Sequence, residues 1–98
     1  MKFYIIKLVN KQNNFFQGFL HKEYYISHDN DSVTDFYIHS YYNGSIIVKF
    51  ESYSDCYNYV LDYECWFPII RNIYDKFTDY NIYIMNCEFT MKEIQIRS

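Results

Sequence analysis

Thirteen tyrosines and nine phenylalanines stand in a chain of 98 residues that has no alanine. This constrains the fold more than any motif. Each tyrosine brings a large ring that favours burial and a hydroxyl that must reach water or a partner. A domain this small has too little interior for all of them. Several must line the surface, where tyrosine is enriched at protein interfaces. The skew also has a genomic cause. Tyr, Phe, Ile, Asn, Lys and Met have AT-rich codons and dominate the chain, whereas Gly, Ala, Arg and Pro together supply only five residues.

The length predicts one domain, and half the residues are apolar, enough for a core without disulfides or metals. The formal charge is −3, with no basic cluster. That argues against nonspecific duplex binding, which rests on Lys and Arg neutralising phosphates. No stretch approaches the about 18 apolar residues of a membrane span. At the N-terminus, Lys7 breaks a short apolar run, which differs from a signal peptide. Cys56, Cys65 and Cys87 are odd in number and lack CxxC spacing, which predicts reduced thiols and a cytoplasmic setting in a host cell.

Alternation and β-rich composition predict strands at residues 3–9, 15–20 and 24–27, separated by a polar turn at 10–14. Gly18 suggests a bulge. Residues 28–32 read as a loop. Asn43-Gly44, between residues 33–42 and 45–50, predicts a hairpin closed by a type I′ turn, because both residues tolerate positive φ. That register opposes Tyr41 to Ile46, His39 to Val48 and Tyr37 to Phe50, and makes these six the core face. Phe36, Ile38, Ser40, Tyr42, Ile47 and Lys49 then share the second face. It is too apolar for plain solvent and implies a partner or a second subunit, as in a homodimer.

Residues 52–77 read as helical, in one or two pieces. Ser52 and Asp55 have capping-box spacing. Cys56, Val60 and Tyr63 make the buried stripe; Asp55, Asn58 and Asp62 fall opposite, with Tyr59 at the margin. Pro68 suits the first turn of a new helix, in which Ile70, Ile73, Tyr74 and Phe77 repeat at amphipathic spacing. Residues 80–89 return to strand alternation, and 90–97 continue it or add a short strand. The fold class is therefore α+β: a single antiparallel, curved sheet of about five to six strands, with one or two helices on one face.

Chemical motifs are sparse. His21, His28, His39 and the three cysteines include no close ligand pair of the kind structural zinc uses. The chain has no Walker loop, GxGxxG, HExxH or GxSxG. No cofactor is expected, and the reading is of a binding protein rather than an enzyme. Glu51, Asp55, Asp62 and Glu64 occur with no Lys, Arg or His among them over residues 51–64. Asp55, Asn58, Tyr59 and Asp62 form one candidate contact patch for a basic protein surface, and Tyr42 and Lys49 form a second. An aromatic sheet face of Phe36, Tyr42 and Lys49 is the alternative, as a platform for a nucleotide or single-stranded nucleic acid.

The opening Tyr4-Ile5-Ile6-Lys7-Leu8-Val9 strand, the Phe50-Glu51-Ser52-Tyr53-Ser54-Asp55 lead into a helix and the closing strand give a layout that resembles small accessory proteins of phages and mobile elements. Some of these are anti-CRISPRs or other inhibitors of host defence. The resemblance implies a phage-type inhibitor that occupies a functional surface of a host protein, possible targets including a CRISPR effector. It assigns no role to any residue.

Overall fold

In the computed structural model, residues 2–12, 17–73, 76–87 and 91–97 are described. Alternation puts Phe3–Asn10 in an extended strand, β1, with Tyr4, Ile6 and Leu8 buried on one face. Strands β2 (Gln17–Ile26) and β3 (Ser32–His39) form an antiparallel pair, and β4 (Lys49–Phe50) is a two-residue strand. Helix α1 (Tyr53–Leu61) follows, then β5 (Tyr80–Cys87) and β6 (Met91–Arg97). The sheet is antiparallel, runs β3-β2-β1-β5-β6 and is open at its ends, with β4 added beside β1. The fold is α+β, as the sequence pattern predicts.

The middle of the sheet is built in an unusual way. β1 pairs with β5 along its whole length, from Phe3 opposite Cys87 to Asn10 opposite Tyr80. On its other edge it meets β2 only through Lys7–Val9. Beyond that point β2 diverges, and residues 46–50 fill the gap as a wedge. The Lys22 N–H donates to the Ile46 carbonyl at 2.7 Å and the Val48 N–H to the Leu20 carbonyl at 3.0 Å. Ile5 and Tyr4 then pair with Lys49 and Phe50.

This wedge replaces the predicted hairpin. Gly44 does not have positive φ, and the Ile46 and Ile47 N–H groups both donate to the Asn43 carbonyl in a helical turn. Tertiary pairing with His21 and β1 overrides the local turn signal. The predicted faces change accordingly. Val48 lies in the main core under α1, with Phe50 packed against it, as expected, but Phe36 and Ile38 join that core too, while Ile47 packs on the opposite face with Ile5, Met85 and Cys87. Tyr37 and His39 are only half-buried, and Tyr41 is exposed.

Two further expectations are corrected. Residues 24–27 do not form a separate strand, because β2 is continuous to Ile26, and Gly18 pairs regularly with Leu8. The predicted second helix is replaced by 3₁₀ turns at Tyr63–Cys65, Phe67–Ile69 and Phe77–Asp79. Pro68 does sit in the first turn of one of them. Ile70 instead lies parallel to Phe36 on the edge of β3, with the Arg71 N–H donating to the Phe36 carbonyl at 2.8 Å. Tyr74, part of the predicted 10–14 turn and the end of the predicted 80–89 strand lie outside the described residues.

The core between sheet and helix is aromatic. Trp66 is almost fully buried and donates its indole N–H to the Tyr59 carbonyl at 2.8 Å. Phe77 stacks on Tyr63 with ring centres 3.9 Å apart, and Phe67 meets Phe77 edge-on at 5.2 Å. Each buried ring removes a large apolar area from water, and the edge-on pairs suit the ring quadrupoles.

Candidate functional site

Helix α1 starts where the sequence predicts. Ser52 is extended, and its hydroxyl accepts from the Asp55 N–H at 3.2 Å, satisfying one N–H that the first turn leaves unpaired. Cys56 and Val60 face the core. That fixes the opposite side. Asp55, Asn58 and Asp62 are all exposed and recur one turn apart, giving a continuous acidic stripe. Asp55 lies in the first turn and suits the positive helix end. Asp62 is the C-cap, where its N–H donates to the Asn58 and Tyr59 carbonyls.

Tyr59 belongs more to the core than to this stripe. It is half-buried, meets Phe50 edge-on at 5.1 Å and lies 5.9 Å from the Trp66 ring. Burial, followed by the charges of Cys65 and Asp62, raises its phenol pKa. The exposed rings of α1 are others. Tyr53 and Tyr57, each 37% exposed, stack at 6.1 Å, and Leu61 follows at 60% exposure. Tyr53 is anchored from below by an edge-on contact with buried Tyr4 at 5.9 Å. Their spacing of four residues puts the three in one row along the helix, and Leu61, three residues after Asn58, joins that row to the acidic stripe. That spacing was visible in the sequence, but only knowing the buried face reveals that the row is exposed.

The second predicted patch is rearranged. Tyr42 is exposed and lies beside Gly44. Lys49 is exposed on the sheet face away from α1, its Nζ 5.7 Å from the centre of the Phe3 ring. Phe36, the other member of the predicted platform, is in the core. The open face carries a different aromatic set. Tyr37, His39 and Tyr41 alternate along one strand edge and stack nearly parallel, with centres 5.4 and 5.0 Å apart. At the same end of the sheet, buried Asp35 accepts from the Tyr37 hydroxyl at 3.4 Å and lies 3.9 Å from Arg71.

The three cysteines are free thiols, Cys56 and Cys87 buried and Cys65 exposed. Burial pushes the Cys56 thiol up to about 12. The hydrogen bond to Asp62 and that carboxylate's charge hold the Cys65 thiol above its ordinary value, so it is not an activated nucleophile. Among the described residues there is no cluster of three His, Cys, Asp or Glu that could hold a metal ion, and no helix long and apolar enough to cross a membrane.

Comparison with protein-family models, curated proteins and solved structures finds no match to this chain.

Proposed function

We propose that this chain is a phage-type inhibitor protein, acting by binding rather than catalysis, which blocks a host protein through the exposed side of α1. The partner is a protein with a basic groove, such as a nucleic-acid-handling defence effector, in the host cytoplasm. One observation carries this reading. Helix α1 exposes both the Asp55-Asn58-Asp62 stripe and a separate Tyr53-Tyr57-Leu61 row that meets it at Leu61, and its last turn holds no basic residue to neutralise the acids. Acids steer the encounter with a basic surface, and the adjoining rings supply apolar area to bury once contact forms. The AT-rich residue usage and the absence of recognised catalytic motifs fit a small phage-borne binder.

The test is capture of partners from a low-GC bacterial lysate, followed by binding kinetics at two ionic strengths. Asp55→Lys with Asp62→Lys is expected to slow association and weaken its salt dependence, because steering is an ionic-strength-dependent rate effect. Tyr57→Ala is expected to speed dissociation instead. Unchanged kinetics for both variants overturns the reading.

The Tyr37-His39-Tyr41 stack supports the second reading, a ligand or single-stranded nucleic-acid platform on the open sheet face. Its signature is oligonucleotide binding that Tyr41→Ala removes and the α1 charge substitutions leave unchanged.

A further inference from the structure

His21 is fully buried, yet both of its ring nitrogens are hydrogen-bonded to backbone. Nε2 lies 3.2 Å from the Asn43 N–H, which can only donate, so Nε2 must accept. Nδ1 lies 2.7 Å from the Phe19 carbonyl, which can only accept, so Nδ1 must carry the proton. The ring is thus held as one neutral tautomer. It fastens Asn43, in the turn that leads into the wedge, to β2. The remaining ties of the wedge to β2 flank it: Lys22 N–H to Ile46 carbonyl and Val48 N–H to Leu20 carbonyl, with Ile47 opposite His21.

We infer that His21 is a pH-operated latch: the neutral ring holds residues 43–48 against β2, and protonation of Nε2 releases them. A proton on Nε2 points a donor at a donor and places a charge where no water reaches it. The surroundings offer it little compensation. On β3, His39 lies with its ring centre 5.0 Å away, and Tyr37 sits opposite on the register. Tyr41 is 6.2 Å away, and the wedge presents Ile47. On the same sheet face are the cations Lys7, opposite Phe19 on β1, and Lys49, two residues beyond Ile47. Glu23, two residues along β2 and exposed, is the acid on the ring's own strand, and Asp35 lies opposite Glu23 beside Arg71.

Burial is the largest cause lowering the His21 pKa below 6.5; the Phe19 hydrogen bond opposes it, and His39 adds to it. The unfolded chain therefore takes up the proton first as pH falls. The latch is complete above the ordinary imidazole value and is lost as pH drops from there through the folded value. Tyr41 and Tyr42, which are exposed just before the latch point, move with the released segment.

The test is amide hydrogen exchange on the full chain, read by NMR from about pH 7.5 to about pH 5 and corrected for intrinsic rates. Protection at Lys22, Asn43 and Val48 is expected to be lost progressively as pH falls below 6.5, while the β1–β5 ladder keeps its own, since the released form binds the proton more tightly than the latched one. His21→Gln, which cannot titrate, is expected to abolish this pH dependence, whereas His39→Gln keeps most of it. Uniform protection across the pH range, or a pH dependence that survives in His21→Gln, overturns the latch. Ring-nitrogen shifts of the wild-type protein give a check that needs no variant. An Nδ1–H tautomer with a midpoint below 6.5 is expected; an Nε2–H tautomer, or a midpoint at or above that value, overturns it.

Discussion

Asn72 finishes the edge of the sheet by acting as a strand residue through its side chain: its Oδ1 accepts from the Ile38 N–H at 2.9 Å and its Nδ2 donates to the Ile38 carbonyl at 2.6 Å. A free sheet edge invites pairing with other chains. Here a single carboxamide satisfies both backbone groups at a point where residues 70–72 run alongside β3.

Replacing Asn72 by Ala is expected to cost about 1–3 kcal/mol, because two hydrogen bonds are lost and the Ile38 backbone is left partly shielded from water. Asn72→Asp keeps the acceptor but turns an oxygen toward the Ile38 carbonyl, and is expected to cost at least as much. Urea midpoints at neutral pH measure both.

The two glycines are expected to respond in opposite ways to alanine. A Cβ on Gly18 would overlap Ile38 Cγ2 and crowd the His39 nitrogen, both parts of the neighbouring strand. Gly18→Ala is expected to cost about 1–3 kcal/mol through overpacking. At Gly44 the nearest atom is the exposed Tyr42 ring at 3.2 Å, and the backbone does not have positive φ. Gly44→Ala is expected to change stability by less than about 0.5 kcal/mol, typical of an unstrained surface site. Denaturant midpoints of the pair check this.

The contrast shows what the sequence could and could not reveal. Strand alternation at β1 and β5, the Ser52 cap and the Cys56-Val60 stripe are local patterns, and all were legible. Asn43-Gly44 was equally clear and misled, because it reports only its own φ preferences. What decides residues 43–50 is the gap that opens between β1 and β2, a tertiary fact with no local signature. The same holds for Ile70, whose helical spacing was overruled by the edge of β3. At the candidate site, the exposure of Asp55, Asn58 and Asp62 was readable from helical periodicity, whereas the inward turn of Tyr59 depends on Phe50 and Trp66 arriving from elsewhere in the chain.

One thiol is expected to react quickly with Ellman's reagent in the native protein and three after denaturation, because only Cys65 is exposed. Asp62 raises the Cys65 pKa, so at mildly alkaline pH it suppresses the thiolate. Asp62→Asn is expected to speed labelling of Cys65 several-fold at pH near 8, with little change at high pH where the thiolate is already formed. Stopped-flow absorbance gives both rates.

The charge-reversal pair on α1 is expected to leave stability almost unchanged, for a reason beyond exposure. Asp55 favours the positive helix end, so Lys there costs about 0.3–1 kcal/mol. Asp62 caps the negative end, where Lys gains by a similar amount. Each single substitution should therefore shift the thermal midpoint in opposite directions and the double variant hardly at all. A double variant that unfolds far below wild type would show that these carboxylates make structural contacts.

Tyr59→Ala is expected to cost about 2–4 kcal/mol, since the ring bridges Phe50 and Trp66, while Tyr59→Phe is nearly neutral. Calorimetric midpoints separate this packing role from a role in partner contact, which would leave stability intact.

The pairing of β1 with β5 sets the order in which this molecule can be assembled. During synthesis β1 leaves the ribosome long before β5, yet Phe3 and Cys87 are opposite one another at the centre of the sheet. Until β5 emerges, the strand pairing of β1 is limited to the short stretches shared with β2 and β4. The nascent chain must therefore carry a hydrophobic strand without its main partner, and closure over so long a loop is slow. Native structure then forms only once nearly the whole described chain is available. A chain cut before β5 is accordingly a substrate for chaperones and proteases rather than a smaller version of this domain.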